Sequence, residues 1–342
     1  ISGVPTINDV GAFTNTMVEV RGIQFDQVVN AVDDLGMDNT GNNDVSGILS
    51  NNYQTGTLIE FPPGTYRVEQ EEPIYGSESR FGMKGTGNSQ RDVQFTFPNA
   101  GGGDDGWWAF RQFGGTDILY ENFSIQTGTD TDRSVSIQFD VNDNGLAIDL
   151  EWLGFIPPQV ESHGSLLRMN VDSDNGATTD GVNIARRVTF GKQGSHLGGH
   201  QSSTGDTPGT TFMRHAPTHV GELRLEDVHF EQCGHNAIRS TNNDGIVTIE
   251  GGYFLNCDVS SIRFQGGDHP SKTSVVDGAH IVKDHSLLND TNGSEPHQAC
   301  GFLIDSRVGN AGLIIRNVDI EYKDISVAPD NAGDLWGAIR LT

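Results

Sequence analysis

Lysine is scarce in this chain of 342 residues: Lys84, Lys192, Lys272, Lys283 and Lys323 are all it has. Against 46 acidic residues stand only 21 basic ones, for a formal net charge of −25. A phosphate backbone needs a positive field, so nucleic acid is excluded as a partner. Surface carboxylate in excess, with little Lys, keeps a protein hydrated in concentrated salt, and a saline habitat is the reading it supports. An ordinary acidic secreted protein is the plainer alternative. No apolar run is long enough to cross a bilayer as a helix, so a membrane span is not expected. The 3 cysteines include no Cys-x-x-Cys pair, which removes the usual thiolate metal motifs. Aromatics at 8% and hydrophobics at 35% are lean for a broad globular core, and no Pro- or Ser-rich linker divides the chain. It opens on Ile1 rather than Met, which places any signal peptide outside it.

Repetition fills the space that these absences leave. Seven segments share one pattern, an outward-type residue, a short or small one, an apolar or small one, a free position, then a large apolar one. They are Glu121–Ile125, Glu151–Phe155, Arg186–Phe190, Glu226–Phe230, Glu250–Phe254, Asp277–Ile281 and Arg316–Ile320. The tightest pair lies 24 residues apart: Gly221, Leu223, Leu225, Phe230, Cys233, Ile238 and Arg239 recur as Gly245, Val247, Ile249, Phe254, Cys257, Ile262 and Arg263. Leu223 and Leu225 alternate with polar neighbours, as in a strand. Val228 and Phe230 alternate on the opposite phase, so Glu226-Asp227 reads as a two-residue bend between two strands. Ala237-Ile238-Arg239 is a third strand. Three short strands per turn, stacked about 4.8 Å apart, make a single-stranded parallel β-helix, an all-β solenoid. The 44 glycines suit its corners. Residues 1–50 read as an N-terminal extension and cap, and 51–342 as the β-helix. Cys233 and Cys257 fall on equivalent inward positions, which suits either a disulfide or two stacked buried thiols.

Three stretches near the start carry a family resemblance: residues 32–44 (VDDLGMDNTGNND), 56–68 (GTLIEFPPGTYRV) and 82–87 (GMKGTG). They resemble the entry segment of the pectate-lyase-like right-handed β-helix superfamily, which includes polysaccharide lyases, glycoside hydrolases and viral tailspikes. The Phe61-Pro-Pro-Gly-Thr-Tyr66 core is the specific part. Asp44 to Leu49 suit a short helix plugging the open end of the stack. The acidic, Lys-poor composition resembles exported haloarchaeal members of this class. The resemblance implies a substrate lying along the sheet after the second corner, walled by loops.

On that sheet the residue after the inward aliphatic points outward. It is Gln138 in one copy and Arg168, Arg239, Arg263 and Arg340 in the others. Stacked guanidinium groups repel unless acids or an anionic ligand neutralise them, and their planar fork suits sugar carboxylates or sulfates. Local Asp and Glu are the competing partners. Around this line the catalytic candidates are Asp180, His200, His235 and Arg239. Asp180 sits in TTDGVN (178–183), which is similar to a motif of polygalacturonase-type hydrolases whose other elements this chain lacks. A His or Arg as base beside a uronate, with Asp180 or a bound cation neutralising the acid, makes a lyase; for each His, including His196 and His215, a solvated loop residue is the plainer reading. Glu226, Glu250 and Asp277 stack at one corner. No metal motif stands out, though the Asp and Asn content leaves room for calcium. Asn122, Asn289 and Asn292 head glycosylation sequons.

Two functions fit. One is an exported lyase or hydrolase acting on an acidic polysaccharide, a tailspike-like depolymerase included. The other is a non-catalytic adhesin, glycan-binding module or self-assembling structural protein. Both place the chain extracellularly or at a cell or virion surface in high salt. The partner is an acidic polysaccharide or cell-surface glycan, with a homo-oligomer or end-to-end assembly as a further possibility.

Overall fold

The computed structural model describes residues 17–100, 107–126, 135–156, 165–191, 196–197, 211–233, 236–257, 260–287, 300–305, 309–323 and 337–341. Its strands stack in parallel register as a β-helix. One turn shows the unit: a first strand Glu222–Glu226, a second His229–Glu231 and a third Asn236–Ser240. In the next turn Ile246–Glu250, Tyr253–Leu255 and Ser260–Phe264 lie directly beneath. Leu223 pairs with Val247, Phe230 with Phe254 and Ile238 with Ile262, so the 24-residue sequence match is a one-turn translation. The third strands form a nine-stranded sheet running from Ile74–Gly76 to Gly337–Leu341.

The bend between first and second strands is a single residue. Asn122, Asp149, Arg187, Asp227, Gly251, Gly278 and Asn317 all hold φ between 50° and 79° there. One left-handed residue turns the chain and shifts the inward phase without a gap. The pattern's short or polar second position is therefore a backbone requirement, best met by Gly, Asn and Asp.

Six of the seven repeat segments stack as the sequence predicts; the second does not. Glu121 pairs with Ile148 and Ile125 with Trp152, and these pair on with Arg186 and Phe190. The matching segment is thus Ile148–Trp152, three residues before the Glu151–Phe155 that the pattern picked out. Ile148 faces outward, yet it is buried, because an antiparallel hairpin of Val18–Val20 and Ile23–Phe25 covers it. Ile23 and Phe25 pack there on Leu58, Leu119, Leu146 and Ile148, and Arg21 at the hairpin turn pairs with Glu121.

Inside, aromatic rings fill the column. Phe212 lies 5.3 Å from Trp152 and 4.4 Å from Phe230, and Phe230 lies 6.0 Å from Phe254. Burying each such ring contributes about 1.5–3 kcal/mol. Pairing reaches into the segment read as a cap, since Gln27–Asn30 stacks on Thr57–Phe61. The helix Ser46–Asn52 buries Leu49 in the core, and the Asp44 carboxylate accepts from the Ser46 and Glu69 amides at 3.0 Å each. Cys233, Cys257 and Cys300 are buried free thiols.

Candidate functional site

The register of the third sheet is longer than the sequence reading found. Its Cα partners run Tyr75, Arg111, Gln138, Arg168, Arg214, Arg239, Arg263, Leu303 and Arg340. Arg168, Arg239 and Arg263 stand where they were expected; the register continues through the buried Leu303, and the side chains of Arg214 and Arg340 lie outside the described ones. Arg111 and Arg214 were missed. Their signal was present in Phe110-Arg111 and Met213-Arg214, the same apolar–Arg pair as Ile238-Arg239.

Acids flank the column. Arg111 pairs with Glu72 and donates to Gln138 at 2.8 Å, while its guanidinium lies 5.2–5.4 Å from the rings of Trp108, Tyr75 and Phe113. Arg168 lies 3.0 Å from Asp140 and 3.7 Å from Asp172. Arg239 donates to Thr241 at 3.4 Å. Arg263 makes two contacts to Asp305, at 3.1 and 3.3 Å. The competing reading, neutralisation by local carboxylates, therefore holds at Arg111, Arg168 and Arg263. One end of the column is aromatic, with Tyr75 half exposed and edge-on to Phe113 at 4.7 Å.

Beneath Arg168 lies a buried polar network. Asp140 accepts from Gln138 at 2.5 Å and from Asn170, whose own Oδ1 accepts from the Ala216 amide at 2.6 Å. Burial pushes the Asp140 carboxyl up to about 6, against the pull of Arg168, Asn170 and Gln138. His215 donates from Nδ1 to the Met169 carbonyl at 2.8 Å, which leaves Nε2 buried and without a hydrogen bond among the described residues. His219 accepts the Val171 amide at Nδ1 and meets the Ile246 carbonyl at Nε2. Burial pushes the two imidazoles down to about 3 and about 4. Both are held neutral as parts of the scaffold, and His215 is not the solvated loop residue the sequence suggested.

The structure assembles no catalytic set from the candidates it describes. Asp180 is exposed on a turn before Val182–Arg186, with no ion pair among the described residues, while Arg239 belongs to the third sheet. His200 and His235 lie outside the described residues, as do Asn289 and Asn292. Asn122 occupies the left-handed corner, and its Nδ2 donates to the carbonyls of Gly85 at 3.0 Å and Gly87 at 2.8 Å. A glycan on that nitrogen would remove one of these bonds. Glu226, Glu250 and Asp277 do stack, with Arg186 on Glu226 at 2.5 Å and Arg316 on Asp277 at 2.9 Å closing the two ends.

Two loci bear on cations. The Asp-rich loop at Asp38 spends its carboxylate on the Thr40, Asn42 and Asn43 amides, which holds it well below the usual carboxylate range, with the Thr40 hydroxyl the largest cause. On the outer face of the second strands, His280, Asp319 and Glu321 bring three donor atoms within 4.8 Å of one another.

No family model matches the chain, and no curated protein matches its sequence. Among solved structures it is similar to the Streptococcus pneumoniae surface protein and adhesin PfbA. Identity is 11%, the overlap covers 92% of this chain and 100% of that one, and the TM-score is 0.39. An overlap that loose carries no argument; the β-helix assignment rests on the strand register of this chain. No helix among the described residues is long and apolar enough to cross a membrane.

Proposed function

We propose that this chain is a non-catalytic, exported β-helical surface protein that binds an acidic polysaccharide or cell-surface glycan along the third sheet. The observation that supports this reading is the common register of Tyr75, Arg111, Gln138, Arg168, Arg239 and Arg263. Rungs about 4.8 Å apart present repeated planar donors to a repeated anionic polymer. The aromatic end at Tyr75 and Phe113 offers faces on which sugar rings stack. Binding, rather than cleavage, is favoured because Asp180 and Arg239 do not meet, and because the acids near the column serve as ion-pair partners. The surplus of surface carboxylate supports a salt-adapted, extracellular setting.

A panel of acidic polysaccharides in high salt tests this reading. The expected result is retention on one or more of them, weakened when Tyr75→Ala, Arg239→Ala and Arg263→Ala are combined in one chain, without new unsaturated-uronate absorbance or reducing ends. Either product signal makes the chain a lyase or a hydrolase. Retention unchanged in the combined variant removes the third sheet as the binding face.

A further inference from the structure

On the second strands, away from the arginine column, the outward residues in register are Thr189, His229, Tyr253, His280 and Asp319. His280 on His280–Asp284 stands directly opposite Asp319 on Asp319–Lys323, and Glu321 points from the same face two residues on. The imidazole Nε2 of His280 lies 3.0 Å from Glu321 Oε1 and 3.9 Å from Asp319 Oδ2. All three donor atoms fall within 4.8 Å of one another. We propose that His280, Asp319 and Glu321 are the protein ligands of a divalent first-row transition metal ion, of which Zn2+ is the probe.

Three features carry the proposal. First, the spacing fits one ion: two ligands held at about 2.0–2.1 Å and tetrahedral angles stand about 3.3 Å apart. The observed 3.0 and 3.9 Å bracket that value, so small rotamer adjustments suffice. Second, the chemistry selects the ion. One neutral imidazole with two carboxylates supplies two negative charges and a nitrogen donor, which suits zinc and its neighbours better than calcium, an all-oxygen ion. Side-chain exposures of 40% for His280, 34% for Glu321 and 72% for Asp319 leave water free to complete the shell. Third, the ligands are held in advance. His280 and Asp319 are anchored on adjacent rungs, and the His280 ring packs edge-on to Tyr253 with centroids 5.3 Å apart. A cation is already drawn to this place: Lys323 Nζ, in a chain with so few lysines, lies 2.6 Å from the other oxygen of Glu321. Lys323 then acts as a competitor that a bound ion displaces or tolerates at a cost.

Calorimetric titration of chelator-treated full chain with ZnCl2, and separately with CaCl2, tests the site. Because the chain has 11 histidines, the readout is the difference between variants. Wild type is expected to take up one equivalent of Zn2+ more than His280→Ala or Glu321→Gln, with melting temperatures matched to show that the fold persists. Lys323→Met is expected to bind that equivalent about tenfold more tightly, since it removes a like charge beside the ion. Ca2+ is expected to leave it unfilled. The assignment is overturned if His280→Ala and Glu321→Gln keep the wild-type stoichiometry, if Lys323→Met leaves the affinity unchanged or weaker, or if Ca2+ fills the site as well as Zn2+.

Discussion

Acid should loosen this β-helix well before its surface carboxylates are discharged, and two buried histidines set the size of the effect. An unfolded histidine titrates near 6.5, whereas burial holds His215 down to about 3 and His219 down to about 4. The unfolded chain therefore takes up protons first as pH falls, and each imidazole withdraws stability from about 6.5 downward. Between pH 8 and pH 5 each costs about 2 kcal/mol. Asp140 works the other way: its folded carboxyl holds a proton up to about 6, its unfolded one only to about 3.9. What it contributes is present in acid and lost as pH rises through that window, returning about 1.4 kcal/mol on going from pH 8 to pH 5. The three together predict a net loss of about 2.6 kcal/mol over that interval. Urea unfolding at the two pH values, in high salt to screen the surface, measures it. His215→Asn keeps the donor to the Met169 carbonyl, and His219→Gln keeps a polar group facing Val171 and Ile246. Each variant loses packing at pH 8 but should flatten the pH dependence by about 2 kcal/mol. Variants whose pH dependence matches that of wild type would refute the assignment of these two side chains as the acid-sensitive groups.

The corner column and the core make separate predictions. Asp227 holds φ 51° in the left-handed region, so Asp227→Gly should raise stability by about 0.5–1 kcal/mol and Asp227→Val should lower it by more than about 1 kcal/mol, read as opposite shifts in melting temperature. Phe230 packs between Phe212 and Phe254, and Phe230→Ala should cost about 3–5 kcal/mol by denaturant titration, with a smaller loss pointing to collapse of the neighbouring rungs into the space.

What was legible in the sequence was whatever repeats by translation. Leu223, Phe230, Ile238 and Arg239 sit one turn above Val247, Phe254, Ile262 and Arg263, and the 24-residue spacing showed this directly. The register failed at the second segment because the pattern demanded a polar outward residue. Ile148 breaks that demand, since the N-terminal hairpin buries the outer face above it with Ile23 and Phe25. A cover supplied by a distant segment leaves no trace in a local pattern. Arg111 and Arg214 were overlooked for a different reason: connections of unequal length put their strands off any constant spacing, although each follows a large apolar residue as Arg239 does. The His280, Asp319 and Glu321 cluster shares this difficulty, for its members meet across two turns and only Asp319 and Glu321 are sequence neighbours. The buried state of His215 was also beyond reach, because alternation is uninformative in the segments that bridge the turns.

On the binding reading, the arginine column also limits how a glycan would be held. Three of the stacked guanidinium groups are neutralised by acids: Glu72 for Arg111, Asp140 and Asp172 for Arg168, and Asp305 for Arg263, while Arg239 donates to the Thr241 hydroxyl. At those three an incoming sugar carboxylate does not meet a bare cation. At Arg111 and Arg263 it exchanges with a resident acid on the protein surface, and such an exchange yields little net energy per rung. At Arg168 it meets a guanidinium anchored on a fully buried Asp140, a partner it cannot displace without leaving a buried charge unpaired. On the binding reading, affinity then comes from length: many weak exchanges along one rigid sheet, each made at high effective concentration once the first has formed. That economy suits a surface that grips a long polymer.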